Sequence, residues 1–309
     1  MSGVESRESK VVRVGEVSGS RLSAIGLRHF GFTLVEVMVV VALLSLIVIA
    51  LMGVFNSTQS AFRASVTQTD VMEGGRVVMD LMAEDLKTMS PSLGASNGAV
   101  NFYAGVNLNS APLIQSLVAS SYTRANVLEN IFILSRENQT WTGTGYAVIT
   151  NSAQGNLYSL YRFSMTTNMA AADPLVLYNI FTNTIYQAAL TNMSHLIDGV
   201  VGLRVRAFDN NGYWMTNTLS FAGGQTTTNK NILFLFPSAF GETGFSMYSN
   251  TLPASVEIEM ATLEDRALQR AESFGSYQAA TNYLFGQVGK VHVFRQRVSI
   301  PNADPSAYQ

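Results

Sequence analysis

Residues 37–55 read Val-Met-Val-Val-Val-Ala-Leu-Leu-Ser-Leu-Ile-Val-Ile-Ala-Leu-Met-Gly-Val-Phe, 19 positions without a charge. As a helix this run covers roughly 28 Å at about 1.5 Å per residue, which matches the ~30 Å hydrocarbon thickness of a bilayer. No other stretch of the 309 residues is long and apolar enough to span. Upstream, Arg7, Lys10, Arg13, Arg21 and Arg28 outnumber Glu5, Glu8 and Glu16, and the part nearest the apolar run carries Arg21, Arg28 and His29 with no acid. The positive-inside rule therefore puts the N-terminus in the cytoplasm and the chain after residue 55 on the far side.

A single acid interrupts this picture. Glu36 lies at the mouth of the apolar run, where an ionised carboxylate costs up to ~3 kcal/mol at a helix centre and less near the interface. A cleaved secretory signal has a shorter apolar region and a small-residue cleavage site, and Ala50-Leu51-Met52-Gly53 is a poor one. A plain signal anchor accounts for the length and the basic flank, but leaves Glu36 without a purpose.

The run Arg28-His29-Phe30-Gly31-Phe32-Thr33-Leu34-Val35-Glu36 resembles the type IV prepilin signal, in which a basic leader and a glycine precede an apolar helix with an early glutamate. The resemblance implies that a membrane prepilin peptidase cuts after Gly31 on the cytoplasmic side and N-methylates the new terminus at Phe32. It also implies a role for Glu36 in filament assembly. The carboxylate of one subunit meets the cationic Phe32 amine of a neighbour, so that each ion offsets the desolvation of the other.

The helical pattern continues past the membrane. Residues 56–89 contain no proline, and Val71, Val78, Met82, Leu86 and Met89 recur at helical spacing. Glu73, Arg76, Asp80, Glu84 and Lys87 fill the opposite face, and Ser90-Pro91 stops the helix. One helix from about 32 to 89 follows, with local unwinding expected at Gly53 and a second weak point at Gly74-Gly75. Beyond residue 95, β-like runs take over at 131–136, 157–163, 200–208, 232–236, 254–260 and 288–300. Asp209-Asn210-Asn211-Gly212 reads as a turn. Loops rich in Asn, Thr, Ser and Gly lie at 92–98 and 223–231, and 263–284 is partly helical with a break at Gly275. The fold class is α+β, a long N-terminal helix packed on an antiparallel β-rich domain. The expected divisions are a removed leader at 1–31, the helix at 32–90, membrane-spanning to about 55, and a periplasmic globular domain at 91–309.

Three further segments resemble the J-type minor pseudopilins of type II secretion and the related W-type minor pilins. They are Met79-Asp80-Leu81-Met82-Ala83-Glu84-Asp85-Leu86, the stretch from Val200 to Asp209 with Gly212-Tyr213-Trp214, and Leu252-Pro253-Ala254-Ser255-Val256-Glu257. This likeness implies a low-copy subunit near the tip of a short pseudopilus, anchored in the bacterial inner membrane. Its implied partners are the prepilin peptidase, other minor and major pseudopilins, the assembly platform and ATPase, and the secretin and secreted substrate. A minor pilin of a type IV pilus or DNA-uptake machine is the alternative. A membrane-anchored exported enzyme or carbohydrate-binding protein is the rival from another class.

Composition weighs against other chemistry. Charged residues make up 13% and hydrophobic residues 47%, so a sizeable core is available and bulk disorder is not expected. With 19 basic and 21 acidic residues and no basic block, nucleic-acid binding is not expected. The chain has no cysteine, and His29, His195 and His292 lie far apart, so neither a metal site nor a cofactor is expected. No catalytic residue is assigned. Glu257 and Glu259 share a strand face that reads as solvated, and Trp141 and Trp214 read as packing residues. Thr142-Gly143-Thr144-Gly145-Tyr146 reads as a turn. Arg204, Arg206, Arg295 and Arg297 form two arginine faces for solvent or subunit contact.

Overall fold

The computed structural model describes residues 31–93, 98–107, 110–117, 121–150, 157–168, 173–187, 190, 192–215, 231–237, 241–304 and 307. Residues 1–30 of the expected leader, most of the 92–98 loop and most of the 223–231 loop lie outside the described residues. By its contacts the chain divides into two units, one ending at Thr58 and the other comprising Gln59–Gln309.

Helix α1, Leu34–Lys87, runs 54 residues without a break. Its first part belongs to the first unit, and every residue from 32 to 58 is exposed. In the second unit Val71, Val78, Met82 and Leu86 are buried, as is Met89 just beyond the helix, while Glu73, Arg76, Asp80, Glu84 and Lys87 face out, as the spacing dictates. The helix closes two residues earlier than Pro91 alone requires. The Thr88 and Met89 amides donate back to the Asp85 and Leu86 carbonyls, tightening the last turn, and Met89 bridges to Ser135.

Neither glycine site unwinds. α1 passes through Gly53 intact, and Gly74-Gly75 serve packing rather than flexibility. A Cβ on Gly75 would sit 2.3 Å from the Phe294 ring, and one on Gly74 would touch Ile197 at 3.4 Å. Helix propensity is a weak prior, and a close approach that only glycine permits overrides it.

Among the described residues, twelve strands and three further α-helices follow. They are β1 Val100–Val106, β2 Leu113–Ser116, β3 Thr123–Asn126, β4 Glu129–Glu137, β5 Thr140–Thr150, β6 Tyr158–Asn168, α2 Leu175–Gln187, β7 Met193–Ile197, β8 Val200–Phe208, β9 Ile232–Pro237, β10 Thr243–Tyr248, β11 Ser255–Leu263, α3 Asp265–Glu272, α4 Tyr277–Phe285 and β12 Val291–Ser299. A seven-stranded antiparallel sheet has the order β7-β6-β5-β4-β1-β10-β9, and a three-stranded one the order β12-β11-β8. β2 and β3 form a separate hairpin.

Period-two alternation decides which core each side chain joins. On β4, Ile131 and Ile133 join the core built with the buried stripe of α1, while Phe132 and Leu134 join the one built with α2. β8 and β11 send Leu203, Val205, Ala207, Val256, Ile258 and Met260 into the same core as α1. The expected α+β architecture is thus what folds. The expected turn at 142–146 is not, because those residues are the middle of β5. A Cβ on Gly143 would lie 2.9 Å from Leu177 Cβ, and one on Gly145 would lie 2.4 Å from the Phe181 ring. Those two glycines let α2 settle onto the sheet, a tertiary reason that a glycine pair in sequence does not disclose.

Candidate functional site

Two places concentrate the residues that bear on function: the start of α1, and the seam where its far end meets the sheets.

At the start, Gly31 and Phe32 precede the helix. Phe32 is 84% exposed, and among the described residues nothing lies within 4 Å of a Cβ built on Gly31. Thr33 and Glu36 form a reciprocal cap. The Thr33 amide and hydroxyl both donate to Glu36 Oε2 at 2.9 Å, and the Glu36 amide donates to Thr33 Oγ1 at 3.2 Å. This is the Thr-x-x-Glu capping box, which satisfies otherwise orphaned N–H groups at a helix start. The carboxylate also sits at the positive end of the helix dipole. Among the described residues no cation pairs with it. Immediately after it, α1 is long and apolar enough to cross a membrane, and that apolar stretch buries nothing.

At the seam, Asp85 holds α1 to the large sheet. Arg162 of β6 donates to both carboxylate oxygens, at 2.8 and 2.9 Å, and the Tyr146 hydroxyl of β5 donates at 2.5 Å. Burial and the Asp85 charge push the Tyr146 hydroxyl upward, and the Asp85 hydrogen bonds raise the Arg162 guanidinium further. Asp85 lies within the Met79–Leu86 segment but was not singled out. Its signal was a carboxylate flanked by Met82, Leu86 and Met89 on the buried stripe. The Thr33 cap was equally legible, from the Thr-x-x-Glu spacing alone.

Glu129 was also missed. It is fully buried, and its Oε2 accepts the Val205 amide at 2.5 Å. Burial pushes its carboxyl up to about 8, against the hydrogen bond from Val205. Nearby Glu242, 4% exposed at its side chain, pairs with Arg204 and Arg206, each at 2.8 Å.

Glu257 and Glu259 do share one face, as expected, but that face is ion-paired rather than bare. Glu259 accepts from Arg124 at 3.2 Å and Arg204 at 3.4 Å, and Glu257 from Arg295 at 2.6 Å. Trp141 is buried in the α2 core, and Trp214 lies under the Arg206 guanidinium at 4.6 Å. The Asp209–Gly212 turn forms as read. Gly212 takes a φ of +81°, and Asp209 Oδ1 accepts from the Asn211 and Tyr213 amides.

No curated protein and no solved structure gives a significant match to the chain. Residues 27–52 match the prokaryotic N-terminal methylation motif. The match spans Gly31, Phe32, the Thr33–Glu36 cap and most of the apolar run, and it supports a type IV pilin-like protein.

Proposed function

We propose that the chain is a minor pseudopilin, cut between Gly31 and Phe32 by a prepilin peptidase, methylated at Phe32, and assembled near the tip of a type II secretion pseudopilus. Its leader lies in the cytoplasm, α1 crosses the inner membrane to about residue 55, and the domain from 91 to 309 is periplasmic. The observation that carries the reading is the placement of one capped carboxylate, Glu36, at the head of an apolar helical stretch in which no residue is buried. Such a helix needs lipid or other helices around it. A carboxylate there needs a cation once it leaves the interface, and the amine released at Phe32 supplies one.

The three segments that resemble J-type subunits bear on the finer assignment. Met82 and Leu86, Val205, and Val256 come from those three segments and line one shared packing site with Ile131 and Ile133. Each segment therefore contributes to the docking of the helix end on the sheets.

Variants at the two N-terminal positions test the reading. Gly31→Val leaves full-length precursor in the membrane. Glu36→Gln keeps an acceptor for Thr33 but removes the charge, so it is processed normally and fails to enter filaments. Fractionation with mass analysis reads both, and a Glu36→Gln protein that assembles as well as the parent removes the filament role.

A further inference from the structure

The three-stranded sheet treats its two edges differently. The outer edge of β8 is sealed along its length. The Leu203 amide donates to the Val127 carbonyl at 2.9 Å, Val205 donates to the Glu129 carboxylate, and the Met215 amide donates to the Ala207 carbonyl at 2.9 Å. The outer edge of β12 receives no strand among the described residues. β12 has nine residues, against five and six in β7 and β9 at the edges of the large sheet. A long open edge offers a row of N–H and C=O groups to any extended chain.

Charge on the exposed face selects which chain. Cross-strand register lines up Arg206, Glu257 and Arg297 in one row and Arg204, Glu259 and Arg295 in the next. Each row runs basic, acidic, basic, and ends at the open edge on an arginine. Arg295 bonds to Glu257, but among the described residues no carboxylate reaches Arg297. The Arg297 guanidinium lies 3.9 Å over the Phe208 ring and donates from Nε to Ser255 Oγ. Val293, Arg295 and Arg297 are all exposed. Antiparallel pairing of two copies across this stretch would oppose arginine to arginine, which disfavours self-association. An incoming strand with carboxylates at alternate positions would set an acid beside each β12 arginine and continue the alternation of sign along both rows.

We infer that the outer edge of β12 is a docking site for an extended acidic segment of another protein, added as a fourth strand beside Arg295 and Arg297. Main-chain bonds to β12 supply affinity, and the two arginines supply selection. The site belongs to the globular domain and does not depend on how the N-terminus is processed.

The test uses the full chain in detergent micelles and end-blocked fluorescent peptides as long as β12, alternating valine with glutamate or valine with lysine. Anisotropy should show the lysine peptide binding about tenfold or more weaker, as two like-charge cross-strand pairs replace two opposite ones. N-methylating every second amide of the glutamate peptide should abolish binding in one register and spare it in the other. Arg297→Gln, which removes no ion pair seen in the fold, should weaken the glutamate peptide about threefold. The double variant Arg295→Glu, Arg297→Glu should reverse the preference toward the lysine peptide. Equal binding of both N-methylated forms would mean that anions merely sit on the arginines, and would overturn strand addition. Absent or charge-independent binding would overturn the proposal as well.

Discussion

The two halves of α1 share one backbone and differ in what surrounds them. From Leu34 to Phe55 nearly every side chain is apolar and every one is exposed; from Val71 to Leu86 the apolar residues Val71, Val78, Met79, Met82 and Leu86 form a buried stripe, with Met72 and Val77 exposed outside it. Uniform hydrophobicity and one-sided hydrophobicity are both helical patterns, but they specify different neighbours. A helix that is apolar all round has no face for solvent and requires lipid or other subunits. One with a stripe requires a single sheet or core, and here it meets residues of both larger sheets. The polar residues follow the same division. Glu36 caps its own helix and pairs with no cation among the described residues, whereas Asp85 is already satisfied by Arg162 and Tyr146.

The sharpest way to break this comparison is a matched pair of truncations. Leu86 is 1% exposed and Leu46 is 67% exposed. Leu86→Ala should cost about 2–5 kcal/mol of globular-domain stability, and Leu46→Ala should stay within about 0.5 kcal/mol, both by denaturant unfolding in micelles. Equal costs would mean that the halves are not distinct.

Glycine substitution gives a smaller contrast. Gly75→Ala forces the Phe294 ring to move and should cost about 1–3 kcal/mol. Gly53→Ala meets nothing within 4 Å and should leave domain unfolding unchanged while raising helix propensity.

A third contrast is a pH slope from the buried Glu129. Folded Glu129 holds its proton up to about pH 8, while the unfolded side chain releases it near 4.5. Between those values the folded state binds the extra proton, so stability falls as pH rises through the window and levels off above it. Glu129→Gln keeps an acceptor for the Val205 amide and removes the titration. Its melting temperature should therefore change less between pH 5 and 8, by roughly the slope that the parent shows.

Local features were the most readable in the sequence. The apolar run, the buried stripe, the Asp209–Gly212 turn, the break near Gly275, and the strands β4, β6, β8, β9, β11 and β12 depend on short-range pattern, and they fold close to where the pattern puts them. β5 was missed because its glycines answer to α2, and α2 because Asn and Thr dilute its apolar period. The α2 cap was legible nonetheless: Asp173 Oδ1 accepts the Leu175 amide, next to Pro174. Glu129 could not be read at all. Its partner, Val205, lies 76 residues away and offers only a backbone amide, which no side-chain pattern encodes. At the N-terminus the motif and the acid spacing were plain, and the Thr33–Glu36 cap follows from the same Thr-x-x-Glu spacing.

The central claim is that the mature chain begins at a processed Phe32, two residues ahead of α1. The most direct measurement is the N-terminus and intact mass of the membrane-extracted protein, from cells with and without a prepilin peptidase. The account predicts N-methyl-Phe32 as the terminus only when the peptidase is present. An intact Met1 or Ser2 terminus in both would contradict it, leaving an ordinary membrane anchor and a Glu36 whose work ends at its own helix cap.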